Sequence, residues 1–338
     1  MAGKRRKGDA IMKRSFEKSN ILNQFKKLNI GCHQKSWQSR NTYRKSTQRI
    51  LKFCYEQYNI QKIENIQNKH IQAYIETQED KSLSTLKKEI SGFRSYINLL
   101  NNIDISRGRR ECKFSASNFD LGINGTKEFN MRTAPTREEY NNIFKEIDLI
   151  QNPETQKILK YGTYLGGEFG LRSKEIFCLK VSQVKDCIQQ IGSNSEKVFL
   201  KLDGEGCKGG RKRQIGPLSL EQRQMIYELF SNCCRDKYVD DYVLRDRNIE
   251  NSLSKRLSLW HNFYSKIGSR VSSERRREQR PEFDNHLSAH SLRRFFAVNL
   301  YNRVRETQSH EKALNIVFSN LGHGVNRNEL ARHYLNSL

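Results

Sequence analysis

Four short stretches in the second half of the chain carry side chains suited to handling a phosphate. Gly170-Leu171-Arg172-Ser173-Lys174-Glu175 sets an arginine at the mouth of a predicted helix. There a planar guanidinium fork and helix-terminal N–H groups together favour an anion. Cys207-Lys208-Gly209-Gly210-Arg211-Lys212-Arg213 sets a lysine on a glycine-rich turn, from which it can reach into a groove unobstructed. Ala289-His290-Ser291-Leu292-Arg293-Arg294 places His290 and Arg293 three apart, on one helical face, with Arg294 round the helix from His290. Leu321-Gly322-His323 precedes a helix ending in Arg332-His333-Tyr334-Leu335. Taken singly, each stretch has an ordinary explanation: a surface cation, a solvated hairpin tip, a polar helix start, a packed aromatic. Taken together they hold what attack on a phosphodiester requires. Guanidiniums bind the charge spread over non-bridging oxygens and keep their own charge at neutral pH. A histidine or lysine can move a proton. A phenol, which ionises in water only near pH ~10, can attack once a base or a strong field assists it.

In this order, Arg, Lys, His-x-x-Arg, Leu-Gly-His and Tyr resemble the catalytic signature of the tyrosine recombinases, the phage-integrase family. Gly170-Leu171-Arg172-x-x-Glu175-Ile176 is similar to the family's first-arginine box. Lys208-Gly209-Gly210 with the later Pro217-Leu218 looks like its β-hairpin lysine. His290-Ser291-Leu292-Arg293-Arg294 looks like its His-x-Leu-Arg box, and Leu321-Gly322-His323 like its Leu-Gly-His tripeptide.

The resemblance implies roles for these residues. Tyr334 is the nucleophile, assisted by His290. Arg172 and Arg293 bind the transition-state charge, and Lys208 protonates the leaving 5′-hydroxyl. His323 hydrogen-bonds the phosphate, and Glu175 orients its neighbours from behind. The implied product is a 3′-phosphotyrosyl link that keeps the bond energy for rejoining, with no ATP, metal or other cofactor. The implied partners are double-stranded DNA gripped in a C-shaped clamp, a homotetramer on synapsed DNA, and accessory DNA-bending or directionality proteins.

The expected function is therefore a site-specific recombinase or integrase that integrates and excises a mobile element, including a viral genome. The alternatives are a dimer-resolving, Xer-like recombinase and a non-catalytic DNA-binding protein on the same fold. An RNA-binding protein fits the charge but none of the ordered motifs. Two features depart from the family pattern. The interval from His323 to Tyr334 is longer than usual, through Gly324-Val325-Asn326-Arg327. Four residues follow Tyr334, so protomer contacts are expected from elsewhere than a C-terminal exchange.

The elements that must position these residues can be read from periodicity. A helix over 36–59 carries Tyr43, Ile50, Cys54 and Tyr58 inward; short and long helices follow over 69–79 and 84–101. They make a small all-α DNA-binding domain, 34–102, behind a basic tail, 1–33, and the resemblance extends to it. Its basic faces supply the candidate DNA contacts Arg40, Arg44, Lys45, Lys87 and Arg94. A Ser/Asn/Gly-rich linker, 103–131, adds Arg107, Arg109 and Arg110.

The catalytic domain, 132–338, opens on a helix capped by Thr136, with Glu138 and Glu139 in its first turn. Helices are expected over 153–166, 173–179, 220–234, 247–268, 290–305 and 311–320. Three strands, at Cys187–Ile191, Lys197–Asp203 and Arg213–Leu218, are expected to form a small antiparallel sheet. The fold class is thus mainly α with a small β-sheet (α+β).

Composition limits the alternatives. The 61 Lys+Arg against 37 Asp+Glu leave a formal charge of +24, which repels itself until a polyanion neutralises it. No apolar run is long enough for a transmembrane helix, and no apolar stretch follows the basic N-terminus as in a secretory signal. The eight cysteines include no CxxC pair, so no metal site is expected and the thiols are read as reduced. Together these predict a cytoplasmic protein without a membrane contact, nucleoid-associated if bacterial.

Overall fold

The computed structural model describes residues 15–28, 37–105, 112, 114–118, 120–123, 131–132, 134–193, 195–245, 252–271, 283–284, 287–324 and 326–335. The chain divides into two compact units, Met1–Glu128 and Phe129–Leu338.

The first unit is helical: α1 Asn20–Leu28, α2 Trp37–Tyr58, α3 Asn68–Glu76 and α4 Leu83–Ile105. Its core takes in part of the predicted α2 stripe: Ile50 and Cys54 are fully buried, Tyr43 is half-buried, and Tyr58, at the end of the helix, is 44% exposed. Leu51 of α2 and Ile90 and Phe93 of α4 are also fully buried. Two predictions change here. Part of the stretch read as a basic tail is folded, because Ile21, Leu22 and Phe25 share one face of α1 and enter this core. Part of the stretch read as a linker is also core. Cys112, Phe114, Ala116, Leu121 and Ile123 pack in it, with Phe114 5.2 Å from Phe93. Asn68 Oδ1 accepts from the Ser115 and Ala116 amides, which holds this segment down.

The second unit has the expected helices and one more, Val181–Gly192, where a strand was expected. They are α5 Arg137–Asp148, α6 Pro153–Gly167, α7 Ser173–Phe177, α8 Val181–Gly192, α9 Leu220–Cys233, α10 Leu253–Val271, α11 Ala289–Arg305, α12 His310–Asn320 and α13 Ala331–Tyr334. Thr136 caps α5 as expected: its Oγ1 accepts from Glu139 N at 3.1 Å, and Glu139 accepts from Thr136 N at 2.7 Å. Trp260 sits at the centre of the core, edge-on to Phe177 and 4.6 Å from Tyr264.

The sheet differs from expectation. Strands β2 Leu200–Leu202 and β3 Arg213–Ile215 are antiparallel, with Leu202 opposite Arg213. The expected first strand, Cys187–Ile191, is the end of α8. Val181, Val184 and Cys187 are buried at helical spacing, and Gln183 closes the N-terminus by accepting from Lys180 N at 2.7 Å. A short apolar run alone does not separate helix from strand. A separate parallel pair joins β1 Met131–Arg132 to β4 Phe283–Asp284.

Candidate active site

The site grows from the turn into α7. Gly170 has φ +64°, and a Cβ there would lie 2.4 Å from Phe296, so the chain can turn this closely against α11 only with glycine. The turn makes Arg172 the N-cap of α7 and Glu175 its third residue. Glu175 accepts from Arg172 N and Arg172 Nη1, both at 2.7 Å.

The Glu175 side chain has no solvent exposure, and further cations surround it. Arg213 Nη2 donates to Glu175 Oε2 at 2.6 Å, and Arg293 Nη1 lies 3.9 Å from the same oxygen. Burial works against the Glu175 charge, but Arg213, the Arg172 amide and Arg293 hold its pKa below the ordinary carboxylate value.

Arg293 is 1% exposed and donates to the carbonyls of Gly170 and Leu321. Arg172 Nη2 reaches the same Leu321 carbonyl at 3.4 Å. Burial, then the neighbouring Arg172, lowers the Arg293 pKa to about 10, which leaves it charged at neutral pH. Arg172, Arg213 and Arg293 around one carboxylate therefore leave a net positive pocket. Arg172, with 22% of its side chain exposed, is its accessible member.

Tyr334 meets this pocket from the far end of the sequence. It ends α13 and is 6% exposed. His323 Nε2 and Tyr334 Oη are 2.9 Å apart. The longer interval between these residues is taken up by a one-turn helix, Asn328–Leu330, leading directly into α13. Arg294 Nε donates to His333 O at 3.0 Å and ties α13 to α11. The His290 ring, on the exposed start of α11, lies 6.1 Å from the Tyr334 ring.

Burial first, then Arg293, Arg172, Arg327 and Lys208, pushes His323 down to about 4, so its imidazole is neutral at neutral pH. Lys208 itself is exposed on the turn Lys208–Gly210 between β2 and β3.

The fold thus brings together a bonded cluster of Arg172, Glu175 and Arg293 and a His323–Tyr334 pair close enough for the arginines' charge to act on His323. His290 stands beside the phenol, and Lys208 is near enough for its charge to act on His323. In this geometry the phenol's partner is His323, whereas the family resemblance implies assistance from His290. Sequence reasoning did not single out Arg213, which pairs with Glu175. Arg213 was hidden among three consecutive basic residues. Its signal was strand alternation, which puts it on the same face as the buried Ile215.

The expected DNA contacts fall into four groups. Arg44 and Lys45 are exposed on α2, while Arg40 and Lys87 are partly buried. Arg94 is used inside its own unit, donating to Ala116 O and Asn118 Oδ1, both at 2.6 Å. Arg107, Arg109 and Arg110 lie outside the described residues. Among the described residues, no cluster of three or more His, Cys, Asp or Glu could hold a metal ion, and no helix is long and apolar enough to cross a membrane.

No family model matches this sequence, and no curated protein matches it. Solved structures do. The chain is similar to the XerH site-specific recombinase bound to a palindromic difH substrate: 15% identity, TM-score 0.61, 93% of this chain and 82% of that one. It is similar to the Tn1549 transposon integrase in complex with transposon right end DNA: 13% identity, TM-score 0.55, 93% and 94%. It is also similar to a lambda integrase dimer bound to a core site: 14% identity, TM-score 0.52, 92% and 75%.

Proposed function

We propose that this chain, which has the fold of the tyrosine recombinases, cuts and rejoins duplex DNA at a specific site through a 3′-phosphotyrosyl intermediate. The observation that carries the reading is the Tyr334 phenol on the His323 imidazole, beside a pocket of guanidiniums held by Glu175. These groups match the needs of a phosphodiester step.

The scissile phosphate enters at Arg172, and the positive pocket takes the charge that builds on its non-bridging oxygens. Tyr334 Oη attacks phosphorus, and its proton passes to His323 Nε2. Burial first, and then the surrounding cations, make His323 a weak base in the free protein. An arriving phosphate adds negative charge beside those cations and raises the proton affinity of the imidazole. The base therefore strengthens when DNA is in place. The P–O5′ bond breaks, and the Lys208 ammonium gives its proton to the leaving oxygen. Attack by another 5′-hydroxyl reverses the step and releases Tyr334. Positive side chains meet the phosphate charge throughout, so the reaction as written calls for no metal.

The finer reading is integration and excision of a mobile element by four protomers on two duplexes. The formal charge of +24 supports a DNA partner.

The test uses nicked duplexes tiled across the DNA flanking the gene, incubated with protein in EDTA. An SDS-resistant adduct whose released strand carries a free 5′-hydroxyl is expected. An adduct that forms only with added divalent metal, or that leaves a 5′-phosphate, contradicts the mechanism.

A further inference from the structure

We propose that Arg213 and Asn320 are a positioning pair that holds the Lys208 hairpin against the phosphate pocket, and so set proton delivery to the leaving oxygen without touching the reacting atoms. The inference rests on the recombinase reading above.

Arg213 lies on β3 with 7% of its side chain exposed. Its Nη2 donates to Glu175 Oε2 at 2.6 Å, and its Nη1 donates to the Asn320 carbonyl at the end of α12. Asn320, also 7% exposed, grips the other end of the strand. Its Oδ1 accepts from Gly216 N at 2.8 Å, while its Nδ2 donates to Ile316 O at 3.0 Å and fixes the side chain to its own helix. Strand β3 is therefore held at both ends by one residue of α12, three positions before His323.

The contact is close. Gly322 has φ +67°, and a Cβ there would lie 2.7 Å from Arg213 Cδ, so the Leu321-Gly322-His323 turn is packed on the Arg213 stem. The same strand leads directly back to the turn carrying Lys208. Arg213 thus joins three parts of the site: the hairpin, the carboxylate that organises the guanidiniums, and the turn that presents His323. An arginine is needed because its fork reaches a carboxylate and a carbonyl at once, which a lysine's single nitrogen does not reproduce. A lysine that donates a proton must stand within hydrogen-bond reach of the leaving oxygen, so a loosened hairpin costs rate even when every catalytic group is present.

The test separates proton delivery from phosphate binding. Duplexes carrying the site located by covalent trapping are prepared with oxygen or sulfur at the scissile 5′-bridging position. A thiolate leaves without a proton, so the sulfur substrate bypasses Lys208. On the oxygen substrate, Arg213→Lys and Asn320→Ala are each expected to slow adduct formation on the order of tenfold to a hundredfold. On sulfur, Asn320→Ala should come within about twofold of wild type, while Arg213→Lys, which also weakens the hold on Glu175, should recover only in part. Lys208→Ala should show the same rescue as Asn320→Ala, and Arg172→Ala should stay slow on both.

Asn320→Ala remaining slow on sulfur, or either variant matching wild type on oxygen, would overturn the proposal. Asn320→Ala leaves Glu175 and its cations untouched, so it carries the test alone if thermal melting shows that Arg213→Lys does not fold. Covalent trapping that locates no site with the wild-type protein removes the recombinase reading itself, a result distinct from failed rescue.

Discussion

Burying Glu175 with Arg172, Arg213 and Arg293 takes charge out of water, and only a complete set of partners offsets that cost. Removing the one anion leaves Arg213 and Arg293 as buried cations facing each other. Glu175→Gln is therefore expected to destabilise the second unit by about 3 kcal/mol, measured by denaturant unfolding. A loss below about 1 kcal/mol would mean that water, not Glu175, balances these charges.

His323 adds a pH dependence. Its folded pKa, about 4, is below the ordinary 6.5, so between these values the unfolded chain binds a proton that the folded site refuses. Stability should therefore fall as pH drops through that window. Glu175, also depressed, extends the loss to lower pH as it is protonated. His323→Gln should flatten the stability profile between pH 6.5 and 4 while leaving the steeper acid limb. An unchanged profile would place the titration elsewhere.

The helices show where local sequence decides structure and where it does not. Thr136 and Glu139 cap α5 by adjacent residues alone, and the sequence shows it. Thr136→Ala should cost about 1 kcal/mol, read as a shift in the unfolding midpoint. The existence of α2 and α4 was legible because each is long enough for its period to stand out, although Tyr58, placed inward by that period, lies exposed where α2 ends.

Helix α1 was not legible, because its short apolar face lies in a strongly basic stretch and charge suggested a tail. The core positions Cys112, Phe114, Leu121 and Ile123 were missed because their segment has no regular period; what holds them is packing against α3 and α4 and bonds from Asn68 and Arg94. The C-terminal part of α8 was read as a strand because Cys187, Ile188 and Ile191 taken alone fit either geometry.

The site divides along the same line. Arg172, Lys208, His290, Arg293, His323 and Tyr334 were legible as ordered motifs. The part played by Arg213 and Asn320 depends on two elements meeting across a gap of 107 residues, which no local pattern records. Arg94 shows the same limit: nothing local in a basic helix signals that this side chain braces Ala116 and Asn118.

At the scale of the whole molecule, the charge of +24 should make DNA binding strongly dependent on salt. Arg44→Ala and Lys45→Ala, both at exposed positions on α2, should each reduce the slope of log affinity against log salt by about 1, with equal effect on all sequences. A change in sequence preference without a change in slope would make them base readers instead. Binding, however, does not distinguish a recombinase from a protein that only holds DNA, since both need the same cations.

The central claim is that Tyr334 is a nucleophile, and covalent trapping tests it most directly. Wild type and Tyr334→Phe are incubated with the same nicked duplexes, and binding and SDS-resistant adduct are measured together. The expected result is equal binding by both proteins and an adduct from wild type alone, with Tyr334 recovered as the modified residue. An adduct that persists in Tyr334→Phe would contradict the account.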